Sequence, residues 1–247
     1  MAIIKSFIFQ KYPEIIFGFS TKKNENDTPP PYFFNLSLSV GDDENKVKKN
    51  RTSFFGALGI DENNIVLQKQ VHSDICTRVD KGGMCGESDA LITNKPDIAL
   101  VVSVADCTPI FLYDTKEKVI AAIHSGWKGT EKRIVSRTLQ KMKEDFQTKA
   151  ANIIAYIGPS ISQQNYEIGS EVAALFDEKY LKEKGEKFLL DVKGANYDML
   201  IDAGVLRSNI QMSALCTFEL QDLLHSYRRD GTLSGRLMGL IALKGGK

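Results

Sequence analysis

Histidine is scarce in this chain: His72, His124 and His225 are the three among 247 residues. Three imidazoles cannot supply several all-histidine metal centres, but they suffice for one mononuclear site. Cysteine is nearly as rare, with Cys76, Cys85, Cys107 and Cys216 the whole supply. Four in a chain of this length are no disulfide framework, and they read as thiols or ligands in a reducing compartment. Charge of one sign is missing too: 32 Lys and Arg against 31 Asp and Glu leave +1, without the basic excess of a nucleic-acid binder. The longest nearly unbroken apolar run, 98–105, falls far short of the roughly 18–20 residues that span a bilayer. The opening MAIIKSFIFQKYPE lacks the apolar region and cleavage site of a secretory signal, so a cytoplasmic protein without nucleic-acid or membrane partners is expected.

Strand patterns are plentiful. They fall at 65–71, 98–104, 152–157, 188–192 and 235–243, and 110–113 with 119–123 reads as a hairpin about the turn 114–118. Helices are expected at 47–58, 171–180, 194–203 and 218–224. The strongest is 130–147, where Val135, Leu139, Met142 and Phe146 share one face and Thr130 stands at the cap position. A proline-ending polar loop occupies 22–31. Strands with helices between and after them, and no linker, predict one α/β (α+β) domain over 1–247 with mixed sheets.

Three chemically able groups share one local context. His72 closes the run 65–71, Cys107 follows 98–104 after Ala105-Asp106, and His124 closes 119–123. Side chains at strand ends face a common crevice, and two imidazoles with one thiolate are a Zn²⁺ set that leaves a fourth position open. The same atoms also suit metal-free chemistry, with Cys107 as nucleophile, His124 as its base and Asp106 orienting the imidazole. Spacing alone does not choose between the two. Ser125-Gly126-Trp127-Lys128-Gly129-Thr130 joins His124 to the best helix, and its amides with Lys128 form a candidate anion site. Trp127 reads either as a core plug or as a stacking wall. By position alone, Arg51 reads as a solvated helix face, Arg228 and Arg229 as a surface cluster, and His225 as structural. Cys76, Cys85 and Cys216 have no matching partners.

Several blocks follow one another in a recognisable order: Asn35-Leu36, Asn50-Arg51, Gln70-Val71-His72-Ser73-Asp74, Ser88-Asp89-Ala90, Ala105-Asp106-Cys107-Thr108-Pro109, His124-Ser125-Gly126-Trp127-Lys128-Gly129 and Tyr227-Arg228-Arg229-Asp230-Gly231. From about Gly18 to the C-terminus the chain resembles the YfiH family, also called the laccase-domain or peptidoglycan-editing-factor family. The resemblance implies a four-layer α/β/β/α sandwich. It implies a zinc site, sometimes reported as copper, on the residues that match His72, Cys107 and His124. It also implies phosphorolysis of adenosine, inosine and methylthioadenosine, and deamination of adenosine, by a monomer or homodimer. For such substrates Asp89 and Asp106 are the candidate proton carriers or metal-supporting carboxylates. Arg51, Lys128 and the helix start at Gly129-Thr130 are the candidate phosphate contacts, Asn35 and Gln70 the candidate ribose or base contacts, and Arg229 a further candidate substrate contact. The family's older name, polyphenol oxidase, and its editing name leave two alternatives: copper-dependent phenol oxidation, disfavoured by the histidine count, and a cysteine amidohydrolase acting on cell-wall precursors. A non-catalytic binding module is a third. Copper-free protein should therefore consume no more oxygen with phenolic substrates than buffer does; robust phenol turnover by a zinc-loaded, copper-free sample contradicts the histidine argument.

Overall fold

The computed structural model describes residues 2–23 and 29–245, so part of the loop expected at 22–31 lies outside the described residues. In chain order the strands and helices are β1 (Ile3–Ile4), β2 (Ile15–Ser20), α1 (Glu44–Ala57), β3 (Ile65–Lys69), β4 (Cys76–Arg78), β5 (Gly83–Glu87), β6 (Ala90–Thr93), β7 (Ala99–Val104), β8 (Thr108–Asp114) and β9 (Val119–Ser125). They continue with α2 (Trp127–Glu131), α3 (Ile134–Phe146), β10 (Ile153–Ile157), β11 (Glu167–Ile168), α4 (Ser170–Ala173), β12 (Leu181–Lys184), β13 (Lys187–Leu190), α5 (Val192–Asp202), β14 (Ile210–Met212), α6 (Tyr227–Asp230) and β15 (Leu237–Leu243).

Two six-stranded mixed sheets stack face to face, ordered β1-β2-β15-β7-β3-β5 and β14-β10-β8-β9-β6-β4. Alternation along the strands sets the layers. Leu100, Val102 and Val104 of β7 point between the sheets, where they share a core with Phe17, Phe111, Ile120 and Tyr156. Ala99 and Val101 point outward under Phe54 and Phe55 of α1. On the other flank Leu112, Ala121 and Ala155 face Val135, Leu139 and Met142 of α3 and Leu200 of α5. The result is the expected four-layer α/β/β/α sandwich. Gly239 on β15 makes the aromatic centre possible, because any Cβ there would run into the Phe111 ring, which packs edge-on to Phe17 at 5.0 Å.

The local readings mostly fall on real elements. The hairpin is β8–β9, with Asp114 paired to Val119. Helix α1 starts earlier than expected because the Asp43 side chain caps it, accepting from the Lys46 amide at 2.8 Å. Three helical expectations need correction. The long helix at 130–147 is two helices, α2 and α3, parted by Arg133 in the left-handed region (φ 61°). Thr130 caps neither: its buried hydroxyl bonds the Gly126 carbonyl, Ser125 and Asn196, and the break lets Ile134 and Val135 turn onto the sheet. The helix at 171–180 stops after Ala173, and Asp177 begins a new turn by accepting from the Lys179 amide. The stretch 218–224 forms turns, because the Thr217, Phe218 and Leu224 carbonyls accept from the Arg229 guanidinium. A third sheet, β11-β13-β12, was not anticipated; Trp127 packs against its apolar cluster, as a plug. Among the described residues no helix is long and apolar enough to cross a membrane.

His225 is buried against Gly235 and the Tyr32 carbonyl, and its Nε2 has no partner among the described residues. Burial, with the nearby Lys22 charge, pushes its pKa down to about 3. The unfolded chain protonates near 6.5, so between those values it binds a proton the folded chain refuses. The stabilisation from a neutral His225 is complete above pH 6.5 and is lost as pH falls. Between pH 6.5 and 4.5 unfolding free energy should drop by up to about 1.4 kcal/mol per pH unit. Urea melts across that window should show the slope, and His225→Phe should remove it; an unchanged slope in the variant means the residue is not its source.

Candidate metal centre

Strands β5, β3 and β7 are parallel neighbours, so they end at the same edge of the first sheet. After each, the chain crosses to the second sheet: β3 to β4, β5 to β6, β7 to β8. His72 lies on the first crossing, Asp89 on the second, and Asp106 and Cys107 on the third. His124 comes from the other side, on β9, paired with Pro109 two residues beyond Cys107. Crossings at the carboxyl ends of parallel strands leave a crevice, and the strand-end trio meets there.

The ligand atoms of His72, Cys107 and His124 lie within 4.8 Å of one another. Cys107 Sγ is 3.8 Å from His72 Nε2, and the two imidazoles meet edge-to-face with centroids 4.8 Å apart. Ligand atoms around a tetrahedral Zn²⁺ stand roughly 3.3–3.8 Å apart, so the group is close to closed around an ion. Gly126 keeps the space open, because a Cβ there would sit 2.9 Å from Cys107 Sγ and 3.1 Å from His72 Cδ2. His124 is buried, Cys107 partly so and His72 exposed, which leaves one side open to a ligand. Two nitrogens and a thiolate with one open side fit a catalytic type of metal site.

Asp89, fully buried, organises the trio. One carboxylate oxygen accepts from His124 Nδ1 at 2.8 Å and from the His72 amide at 3.1 Å. The other accepts from the Ser73 amide and hydroxyl, each at 2.7 Å, and from the Val71 amide at 3.2 Å. Despite its burial, these bonds hold the Asp89 carboxyl down at about 2. Its bond to Nδ1 leaves His124 Nε2 for the centre. Burial would push the Cys107 thiol up, but the charge and hydrogen bonds of His124 and His72 outweigh it and hold the thiol at about 6. Burial alone would lower His124; the Cys107 thiolate and Asp89 instead raise it to about 9. The two shifts run in the directions that favour a thiolate beside an imidazolium.

The other sequence candidates divide sharply. Asp106 adopts φ 87°, and its carboxylate is spent on Thr217 Oγ1 and the Arg228 amide, both at 2.6 Å, away from either imidazole. Asn35 is buried and bonds Ser37, Asp42 and the Arg236 amide, bracing a loop. All five N–H bonds of Arg229 go to Asp230 and to the carbonyls of Thr217, Phe218 and Leu224. Lys128 is exposed on a five-residue helix outside the cleft. Gln70 lines the cleft, but its amide is clamped to the Ser103 backbone in both directions at 2.8 Å. Arg51 lines it with Nε on the Leu36 carbonyl and, among the described residues, its terminal nitrogens free of protein bonds. Two cleft residues were missed, Tyr227 and Arg236. Tyr227 sits in the block where the arginines drew attention, and nothing local marks Arg236.

The cleft beside the trio holds about 650 Å³. A family model described as multi-copper polyphenol oxidoreductase laccase matches residues 16–244. A Bacteroides thetaiotaomicron protein named purine nucleoside phosphorylase is 32% identical, covering 85% of this chain and 84% of its own. One of that name from Corynebacterium glutamicum is 35% identical over 91% of this chain and 93% of its own. The crystal structure of the Bacillus licheniformis hypothetical protein YfiH superposes with a TM-score of 0.90 at 29% identity, over 95% of each chain.

Elemental analysis of purified protein should find one metal ion per chain. Cys107→Ala should lose it while keeping its circular dichroism, and Asp89→Asn should bind about 10–100-fold more weakly. Full metal content in Cys107→Ala, or a His72→Ala protein unfolded at room temperature, would contradict an open site of this kind.

Proposed function

This chain belongs to the family described as multi-copper polyphenol oxidoreductase laccase, and within it we propose that the protein is a cytoplasmic purine nucleoside phosphorylase with Zn²⁺ on His72, Cys107 and His124. The names of its relatives support the substrates, nucleoside and phosphate. The observation that carries the reaction type is the lining of the cleft. It includes Arg51, Arg236 and Lys69, the last already paired with Glu87 at 2.8 Å, and among the described lining residues no carboxylate. Burial pushes both guanidinium groups below their ordinary pKa, the mark of cations short of solvent that gain from an anion.

Phosphorolysis suits such a lining. A phosphate oxygen bonds to ribose C1′, the C1′–N9 bond breaks towards the base, and the proton of hydrogen phosphate leaves on the base. No protein carboxylate is required. Arg51 and Arg236 hold the phosphate and offset its charge as it approaches C1′. A zinc ion held by the trio supplies a Lewis acid for a substrate oxygen. Deamination needs a proton-carrying carboxylate beside the base. Asp89 and Asp106 are the sequence candidates; both are committed to protein donors and neither lines the cleft, which makes deamination the weaker activity.

One observation favours a second reading. Cys107, His124 and Asp89 stand in the order nucleophile, base and orienting acid, with the sulfur held as thiolate. That is the cysteine hydrolase, with Asp89 in the orienting place. A second imidazole, His72, on the same sulfur exceeds what a nucleophile needs and favours the metal. A chelator should abolish the phosphorylase and spare the hydrolase.

Inosine or adenosine incubated with the protein should yield hypoxanthine or adenine together with ribose 1-phosphate, only when phosphate is present. Arg51→Ala and Arg236→Ala should each raise the KM for phosphate at least about tenfold. Base release without phosphate, or inosine as the main product from adenosine, overturns the reading.

A further inference from the structure

Tyr227 is the one aromatic ring besides the two imidazoles among the described residues lining the cleft, and it is 51% exposed. Burial explains most large apolar groups in this fold; this ring instead stands in the cleft with its contact area unspent. Its place is tightly fixed. The Ser226 side chain accepts from the Arg229 amide and caps the turn. The next amide, of Arg228, donates to Asp106 at 2.6 Å, and Asp106 is the neighbour of Cys107. The ring is therefore tied to the metal centre through one hydrogen bond and two peptide links. The Arg236 guanidinium stands 5.4 Å from the ring centroid, a cation–π contact that joins ring and anion-binding group.

Purine edges are read by carboxamides, carboxylates, hydroxyls and cations. Carboxylates are absent from the described lining, the Gln70 amide is closed on Ser103, and the Gln68 carboxamide, though without a partner among the described residues, has both its polar atoms buried out of solvent contact. The face of a purine bound here has one aromatic ring besides the imidazoles to rest on among the described lining, that of Tyr227. Resting on the nucleoside reading above, we infer that Tyr227 is the stacking platform for the purine base and that Arg236 braces its ring while facing the phosphate. Leu38 and Met84, exposed on the same cleft, add apolar surface for the flat ligand.

The test compares wild type, Tyr227→Leu and Tyr227→Phe in turnover of inosine and in calorimetric binding of hypoxanthine, a base that cannot react alone. The leucine variant should raise the inosine KM and the hypoxanthine Kd about ten- to hundredfold and leave the phosphate KM unchanged. The phenylalanine variant, which keeps the ring, should restore both to near wild type. A leucine variant with unaltered inosine KM and hypoxanthine Kd, or one whose phosphate KM rises equally, overturns the platform while phosphorolysis stands. If the wild type binds hypoxanthine in a Tyr227-dependent way but cleaves no nucleoside, the platform stands and the phosphorylase reading falls. If the wild type does not bind hypoxanthine at all, the platform is overturned.

Discussion

The buried carboxylate of Asp89 is the point on which the site depends. A charge with no access to water survives only if the protein satisfies it, and five donors do so here: three successive backbone amides, the Ser73 hydroxyl and the His124 ring. Because those donors come from the first crossing and from β9, neutralising Asp89 and assembling the trio are one event. His72 sits at φ 58°, a conformation disfavoured for its side chain, while its amide and both neighbouring amides bond the same carboxylate. The strain of that backbone and the cost of that burial are offset together.

Around this point the polar residues divide by whether their bonds are already spent. Asp106, Arg229 and Asn35 have the types expected of catalysis, yet their hydrogen-bonding capacity goes into holding the C-terminal segments against the third crossing. Among the described residues Arg51 and Arg236 keep part of theirs free, in a cleft whose lining carries no carboxylate of its own. This division supports the proposed role of the cleft in holding an anion. It also gives the arginine-rich turn at 227–230 a structural duty, since Arg229 carries the loop carbonyls that a helix would otherwise have satisfied.

The metal centre and the cleft also need different things from the chain. The centre needs closeness, which Gly126 permits and Asp89 enforces. The cleft needs openness, which comes from the end of the first sheet, where β3 and β7 stop and the loop at 36–39 stands back from them. Both follow from one topological feature, three parallel strands ending together and crossing in turn to the second sheet.

Near-continuous apolar runs were legible in β7, β8 and β9 and marked them as buried strands, but which of their side chains meet between the sheets and which face the helices was decided by the fold. The four-strong apolar face of α3 named its buried side. The habit of functional groups to sit past strand ends picked out His72, Cys107 and His124, because a strand's end is a local property. Of the small third sheet only β13 was legible, as the strand expected at 188–192; β11 and β12 were not, since they are two and four residues long and partly charged. The break at Arg133 was illegible as well, since Thr130 is drawn to Asn196, 66 residues away. Which aspartate supports the histidine could not be read locally either: Asp106 adjoins Cys107 in sequence, but its carboxylate is claimed by Thr217 and Arg228, 111 and 122 residues on, while Asp89 reaches His124 across 35. Apolar patterning is written residue by residue because burial acts on each side chain separately. Hydrogen-bonding capacity is a shared quantity, and only the folded chain decides which groups spend it on one another and which keep it for a ligand.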